Sequence, residues 1–189
     1  MRLAFVVDPL DRLKAYKDSS VAMMREAARR GHAISAFEAR SMYVRGDSVR
    51  CGAQPLAIHD DDENWYSPAG EAADVRVADF DRVFMRKDPP FDQEYYYATL
   101  LLERAAAEGT TVLNDPRALR DWNEKLAILR FPRFTPPMLV ASEMARIRAG
   151  PQAVGTVRCI DARAPNSPNQ PARRGCFARQ FNSANRKSR

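Results

Sequence analysis

The chain is poor in the residues that most often announce a chemistry. Three cysteines and two histidines stand in 189 residues, and Cys51, Cys159 and Cys176 have no paired spacing. Such usage excludes a disulfide framework and a cysteine–histidine metal module. Cys51 has no recognisable base partner, and His32 and His59 support no Ser/His/Asp set. The eight glycines form no phosphate-cradling loop, and the turn after the first apolar run is Asp8-Pro9-Leu10-Asp11 rather than a dinucleotide fingerprint. No apolar run approaches the length of a membrane span, and Asp8 interrupts the N-terminal run too early for a signal peptide. A soluble, cytoplasmic protein with no membrane partner is expected.

Acid is missing from one region only. Residues 151–189 hold seven arginines and one lysine against the single acid Asp161, a net +7. The whole chain is +6, so residues 1–150, with 22 cations against 23 acids, carry −1. The basic character therefore belongs to the tail and is no nucleic-acid footprint of a folded module. The tail also has no Leu and no Glu, which leaves too little apolar surface to offset the entropy of ordering it. Two readings stand beside each other: a basic disordered arm that binds polyanions, and an out-of-frame segment. The second is favoured, because the change falls inside a helical pattern rather than at a linker.

What is present before that point alternates strand and helix. Residues 3–7 are a short β-rich apolar run ended by Asp8-Pro9. Asp18 and Ser19 offer caps to a helix over 20–30, which Gly31 closes. Residues 33–37 read as a second strand, so the opening predicts a parallel sheet covered by helices. Residues 49–51 and 55–58 suggest a peripheral hairpin. The run His59-Asp60-Asp61-Asp62-Glu63 reads as a solvated loop before a metal site, with Trp65-Tyr66 at the core's edge. Residues 82–85 are a buried strand. A helix over 94–107 follows, with Tyr97, Leu100, Leu101 and Ala105 as its apolar stripe. Residues 110–113 are a strand, and Asp115-Pro116 starts a helix running toward Leu129. A strand over 138–140 and a helix from Ser142 complete the pattern.

One loop stands out as a candidate site. In open α/β sheets ligands sit beyond the C-terminal strand ends. Met85-Arg86-Lys87-Asp88-Pro89-Pro90-Phe91-Asp92 leaves such an end, and the planar fork of Arg86 suits a carboxylate. Lys87 and Asp88 could share that work. The competing reading is a rigid turn in which Arg86 pairs with a nearby acid.

The segments Leu3-Ala4-Phe5-Val6-Val7-Asp8-Pro9-Leu10, Lys17-Asp18-Ser19-Ser20, Arg29-Arg30-Gly31-His32, Phe84-Met85-Arg86-Lys87-Asp88-Pro89-Pro90-Phe91-Asp92, Asn114-Asp115-Pro116 and Asn123-Glu124-Lys125-Leu126 carry a further signal. Together they resemble the bacterial glutathione synthetase N-terminal domain. The likeness spans about residues 1–149, and the tail matches nothing in that family.

The resemblance implies an α/β fold: a Rossmann-like, pre-ATP-grasp parallel-sheet domain over 1–122 with helices on both faces. The start of a truncated ATP-grasp domain over 123–149 and a disordered basic tail over 150–189 would follow. It implies an ATP-dependent ligase that joins glycine to γ-glutamylcysteine through an acyl phosphate, with ATP and Mg2+ or Mn2+, and a homo-oligomer. By the same resemblance Arg86, Asp18 and Ser19 are substrate contacts and Lys125 is a nucleotide contact. The metal ligands and second nucleotide lysine would follow residue 150, where none can be placed, so the 189-residue chain is expected to be inactive alone. A residual γ-glutamylcysteine- or glutathione-binding module without catalysis is the alternative.

Overall fold

The computed structural model describes residues 1–122, 126–135, 138–141, 143, 145–146 and 156–159. In chain order the elements are β1 (Arg2–Val6), α1 (Ser19–Arg29), β2 (Ala33–Phe37), β3 (Tyr43–Arg45), β4 (Ser48–Ile58), β5 (Tyr66–Pro68), β6 (Ala73–Arg76), β7 (Arg82–Met85), α2 (Gln93–Ala107), β8 (Thr111–Leu113), α3 (Pro116–Asp121), β9 (Met138–Ala141) and β10 (Thr156–Cys159). They divide into two units, Met1–Asp121 and Trp122–Arg189.

The first unit is built on a mixed sheet of order β3-β4-β2-β1-β7-β8, with β5 and β6 also paired to β4. β1 runs parallel to β2 and to β7, and β7 runs parallel to β8. The expectation of a parallel sheet holds for these four strands and fails beyond them: β4 is antiparallel to β2, β3, β5 and β6.

Alternation along β1 sorts its side chains between two cores. Leu3, Phe5 and Val7 join Val21, Met24 and Ala27 of α1, and Phe84 of β7 packs against this group. Phe5 and Phe84 stack with centroids 4.7 Å apart. Ala4 and Val6 point the other way, joining Val83 and Met85 of β7 and Ala98, Leu102 and Ala105 of α2. The two helices thus cover opposite faces, and the strands between them are buried on both sides, which is why they read as continuous apolar runs.

The helix signals of α1 work as their chemistry suggests. Asp18 caps the helix, its carboxylate accepting from the Ser20 and Val21 N–H groups. At the other end Gly31, at φ 76°, donates to the Ala28 carbonyl, and the His32 N–H reaches the Ala27 carbonyl. Those two bonds satisfy carbonyls that the helix itself leaves open.

Several expectations need correction. The supposed peripheral hairpin is one eleven-residue strand, β4, whose Val49, Cys51 and Ala53 are buried in the α2-side core. Gly52 and Pro55 look like breaks in the sequence, yet both sit in register, opposite Asp74 and Ser35 respectively. Trp65 is buried in the α1-side core rather than at its edge. On α2 the buried face is Tyr95, Ala98, Thr99, Leu102 and Ala105, while Tyr97 is 62% exposed and Leu100 37%. The larger side chains misled the stripe; the buried one includes a threonine whose hydroxyl donates to the Tyr96 carbonyl and so packs without polar cost. α3 ends at Asp121, well before Leu129.

In the second unit Trp122 stacks on Phe131, and the Arg130 guanidinium lies 4.3 Å from the Trp122 ring centroid. β9 pairs in parallel with β10. β10, Thr156–Cys159, falls within the segment expected to be a disordered tail. The remaining tail residues, Ser142 and the nucleotide candidate Lys125 lie outside the described residues.

Candidate substrate site

Because α1 and α2 lie on opposite faces, β1 and β7 are the neighbours from which the chain departs in different directions. The crevice past their C-terminal ends is where such sheets place ligands, and the candidate loop occupies it. The Arg86 N–H donates to the Val6 carbonyl at 2.8 Å, which extends the β1–β7 ladder by one residue. Alternation then puts Arg86 on the α1 side together with Phe84. Its guanidinium donates from Nε to Ser20 Oγ at 3.2 Å and from Nη2 to Ser19 Oγ at 2.6 Å.

This geometry decides between the two readings of Arg86. Among the described residues no acid pairs with it; two hydroxyls hold it instead. A guanidinium carries five N–H donors, so several remain for a planar acceptor, and its charge is not neutralised. The two serines aim the fork without consuming it.

Lys87 and Asp88 behave differently from expectation. Lys87 Nζ lies 3.2 Å from Asp8 Oδ1 and 3.9 Å from Glu94 Oε1, on the α2 side of the sheet. The Asp88 backbone N–H donates to Asp8 Oδ2 at 3.1 Å. Both residues are thus tied to Asp8 rather than sharing the work of Arg86. The following Pro89–Pro90 peptide is cis, and Asp92 ends the loop as the cap of α2, accepting from the Tyr95 N–H. Burial pushes the Tyr95 phenol above its ordinary value, with Arg86 opposing and Asp88 adding to the shift.

Of the other sequence candidates, Ser19 is placed directly on Arg86, and Asp18 is placed beside it as the cap of α1. Asp18 and Ser19 line a cleft of about 590 Å³ together with Asp8, Arg12, Lys14, Lys17 and Asp88. Arg86 is not among the residues that line it and is joined to it through its bond to Ser19. Three cations and three acids around one cleft suit a solute that itself carries both signs, such as an amino acid or short peptide. A smaller cleft of about 350 Å³ opens on the other flank of Asp8. Its Glu38 and Arg40 pair with each other at 2.8 Å, so they offer a ligand less charge.

Sequence reasoning missed Ser20 and Asp8. Ser20 was hidden as an ordinary first-turn residue. Asp8 looked like a turn residue, although the strand registers carried the signal: Val6 lies beside Met85, which brings Asp8 level with Lys87. The acidic run 59–63 is pinned from outside, Arg25 donating to the His59 and Asp61 carbonyls and to Asp62 Oδ1. Among the described residues no three His, Cys, Asp or Glu side chains are grouped so as to hold a metal ion. Nor is any described helix long and apolar enough to cross a membrane.

Comparison with known proteins agrees with the motifs. The family model described as prokaryotic glutathione synthetase, N-terminal domain, matches residues 1–120. A glutathione synthetase of Nitrosomonas europaea is 50% identical over 146 residues, which cover 76% of this chain and 45% of that protein. One from Bordetella pertussis is 47% identical over 161 residues, covering 83% of this chain and 51% of the relative. One from Escherichia coli is 41% identical over 149 residues, covering 79% and 47%. The Bordetella coverage is more than residues 1–149 can supply, so that similarity runs somewhat past the expected boundary. The chain spans about half the length of these curated relatives. Through its N-terminal domain, the chain belongs to the prokaryotic glutathione synthetase family.

Proposed function

We propose that residues 1–121 are the Rossmann-like, pre-ATP-grasp substrate domain of a cytoplasmic glutathione synthetase, and that the cleft beside Arg86 binds γ-glutamylcysteine. The observation that carries this reading is Arg86 itself, a half-buried guanidinium at a strand C-terminus with hydroxyl partners and no described acid on it. The family's names supply the reaction class, and the site supplies the group that would recognise the substrate.

In the reaction, an oxygen of the dipeptide's C-terminal carboxylate attacks the γ-phosphorus of ATP and ADP leaves. The amine of glycine then attacks the acyl carbon, loses a proton, and phosphate departs with the bonding pair. A carboxylate is a poor electrophile, and the phosphate gives it a leaving group. Arg86 suits the dipeptide's other carboxylate, because a guanidinium on the reacting oxygens would weaken them as nucleophiles. Holding that second carboxylate fixes the peptide's direction, and orientation of this kind lowers the barrier without any chemistry by the arginine. Ser19 and Ser20 aim the guanidinium, and Asp18 holds the helix end on which both serines stand.

ATP and Mg2+ or Mn2+ belong to the proposed reaction. The described residues supply no group of three His, Cys, Asp or Glu side chains that could hold the metal ion. Lys125 remains the proposed nucleotide contact, and it lies outside the described residues. The 189-residue polypeptide on its own is predicted to bind dipeptide without ligating it. Glutathione formed from ATP, magnesium, glycine and γ-glutamylcysteine by the purified chain would refute that prediction.

Calorimetry tests the site directly. Wild type should give heat with γ-glutamylcysteine, and Arg86→Ala should weaken binding by roughly 10- to 100-fold, the usual worth of hydrogen bonds to a charged group. Equal heats in the two proteins, or none in either, would reject the assignment.

A further inference from the structure

Asp8 follows β1 at the point where the parallel register, continued two residues past Val6 and Met85, sets it level with Lys87. Its two oxygens do different work. Oδ1 accepts from Lys87 Nζ at 3.2 Å, and Oδ2 accepts from the Asp88 backbone N–H at 3.1 Å. One carboxylate thereby holds both residues that follow Arg86, one through its side chain and one through its main chain. Upstream, the Arg86 N–H is fixed to the Val6 carbonyl at 2.8 Å, and Asn114 Nδ2 donates to the Met85 carbonyl at 3.3 Å. The backbone around Arg86 is therefore held from both sides, while its guanidinium rests on Ser19 and Ser20.

We propose that Asp8 is a positioning residue for the carboxylate site. By binding Lys87 it draws that ammonium to the α2 side, away from the serines. By binding the Asp88 N–H it fixes the path of the loop, so that of the two adjacent cations Arg86, and not Lys87, is held on the two serines. The proposal rests on the reading of this cleft as the γ-glutamylcysteine site. Removing the carboxylate leaves the charge of Arg86 intact. It releases the Asp88 N–H and leaves Lys87, among the described residues, with Glu94 at 3.9 Å. The loss falls on aim, and a misplaced fork loses the second of its two parallel bonds to a carboxylate.

The test uses the full 189-residue chain, with γ-glutamylcysteine as ligand and the Arg86 Nε–H resonance as a probe that needs no ligand. Asp8→Asn should weaken binding roughly tenfold in the wild-type background and change nothing further in Arg86→Ala, because coupled residues are not additive. It should also speed solvent exchange of the Arg86 Nε–H, which Ser20 otherwise protects. A purely structural role would lower the melting temperature and leave affinity and exchange alone, or weaken both backgrounds equally; either result overturns the proposal. If wild type binds no dipeptide, or Arg86→Ala binds as well as wild type, the reading of the cleft fails. The exchange rate then decides on Asp8 by itself: faster exchange supports positioning, and unchanged exchange refutes it. Should Asp8→Asn not fold, Lys87→Met removes the ion pair from its other side. That variant must produce a smaller change in the same direction, and no change would equally refute the proposal.

Discussion

Arg86 and Arg120 are both half-buried arginines in the first unit, yet their surroundings differ in kind. Arg120 pairs with Glu103 and donates to the Thr99 hydroxyl at 3.2 Å. Glu103 also takes Arg117, and the hydrogen bonds from Arg117 and Arg120 hold its carboxyl below its ordinary value. The seam between α2 and α3 is thus electrically closed. Among the described residues Arg86 bonds through its side chain to two hydroxyls, and the Asp8 carboxylate across the β1–β7 register is taken by Lys87 and the Asp88 N–H. The seam uses its guanidinium to join elements. The strand end keeps its guanidinium charged and partly unmatched, the state a site needs in order to recognise an anionic solute.

The sharpest way to separate the two regions is to damage the packing under the seam. Leu102 of α2 is fully buried against β1, β4 and β7. Leu102→Ala should cost about 2–5 kcal/mol of stability through lost burial and a residual cavity, read as a lower midpoint in urea. Dipeptide affinity of the fraction still folded should stay at the wild-type value. A loss of affinity matching the loss of stability would show that the strand end is not independent of the seam.

Exchanging arginine for lysine breaks the comparison at the residues themselves. Arg86→Lys keeps the charge and loses the fork, and should weaken γ-glutamylcysteine binding by roughly tenfold with little change in melting temperature. Arg120→Lys should do the opposite, lowering the melting temperature by a few degrees while the calorimetric titration stays as in wild type. If both variants behave alike in both measurements, the distinction between a closed and an open arginine has no functional content.

How much of this was legible depends on what each residue's neighbours do. β1, β2 and β7 are buried on both faces and bounded by turn residues, so their apolar runs announced them. The α1 signals were local, since Asp18 and Gly31 act on backbone within four residues. β4 was misread because Gly52 and Pro55 are locally poor strand residues, and only pairing with β2 and β6 keeps them in line. The buried face of α2 was misjudged because side-chain size was weighed above spacing, and Tyr97 and Leu100 are large but exposed. Within the site, Arg86 and Ser19 could be named from position and motif. The serines that hold Arg86 are 66 and 67 residues away in sequence, and no local pattern encodes that distance. Asp8 needed the β1–β7 register, a property of two strands and not of either alone.

A smaller effect concerns the cysteine of the α2-side core. Cys51 is fully buried, and burial foremost, with Asp74 adding and Arg50 opposing, pushes its thiol from 9.0 up to about 12. A folded-state value above the unfolded one means that alkali favours unfolding. Stability should fall as pH rises from about 9 toward 12, and Cys51→Ala should flatten that part of the profile. At neutral pH, alkylation mapped by mass spectrometry should reach Cys51 only after denaturant is added. Labelling of Cys51 in the native protein would show that this side of β4 opens far more readily than its packing indicates.

The smallest expected effect tests whether charge pairing alone marks a closed region. Glu26 on α1 accepts from Arg29 and Arg30, and these hydrogen bonds hold its carboxyl at about 2 instead of 4.5. The folded form therefore prefers the ionised group. Its contribution should be complete above pH 4.5 and vanish as pH falls through about 2. The pair is exposed, however, with 44% of the Glu26 side chain and 74% of the Arg29 side chain open to water. Solvent and salt screen such pairs, so Glu26→Gln should move the melting temperature at neutral pH by about a degree or less. An NMR titration of the Glu26 carboxyl should give a midpoint well below the usual carboxylate range, moving up with added salt. A midpoint near 4.5 would mean that the two arginines do not hold it. A low midpoint with no stability change in Glu26→Gln would mean that the unfolded chain already holds this carboxyl low. At the α2–α3 seam the Arg120 and Glu103 side chains are 16% and 29% open to water, so their pair is screened less than the one at Glu26.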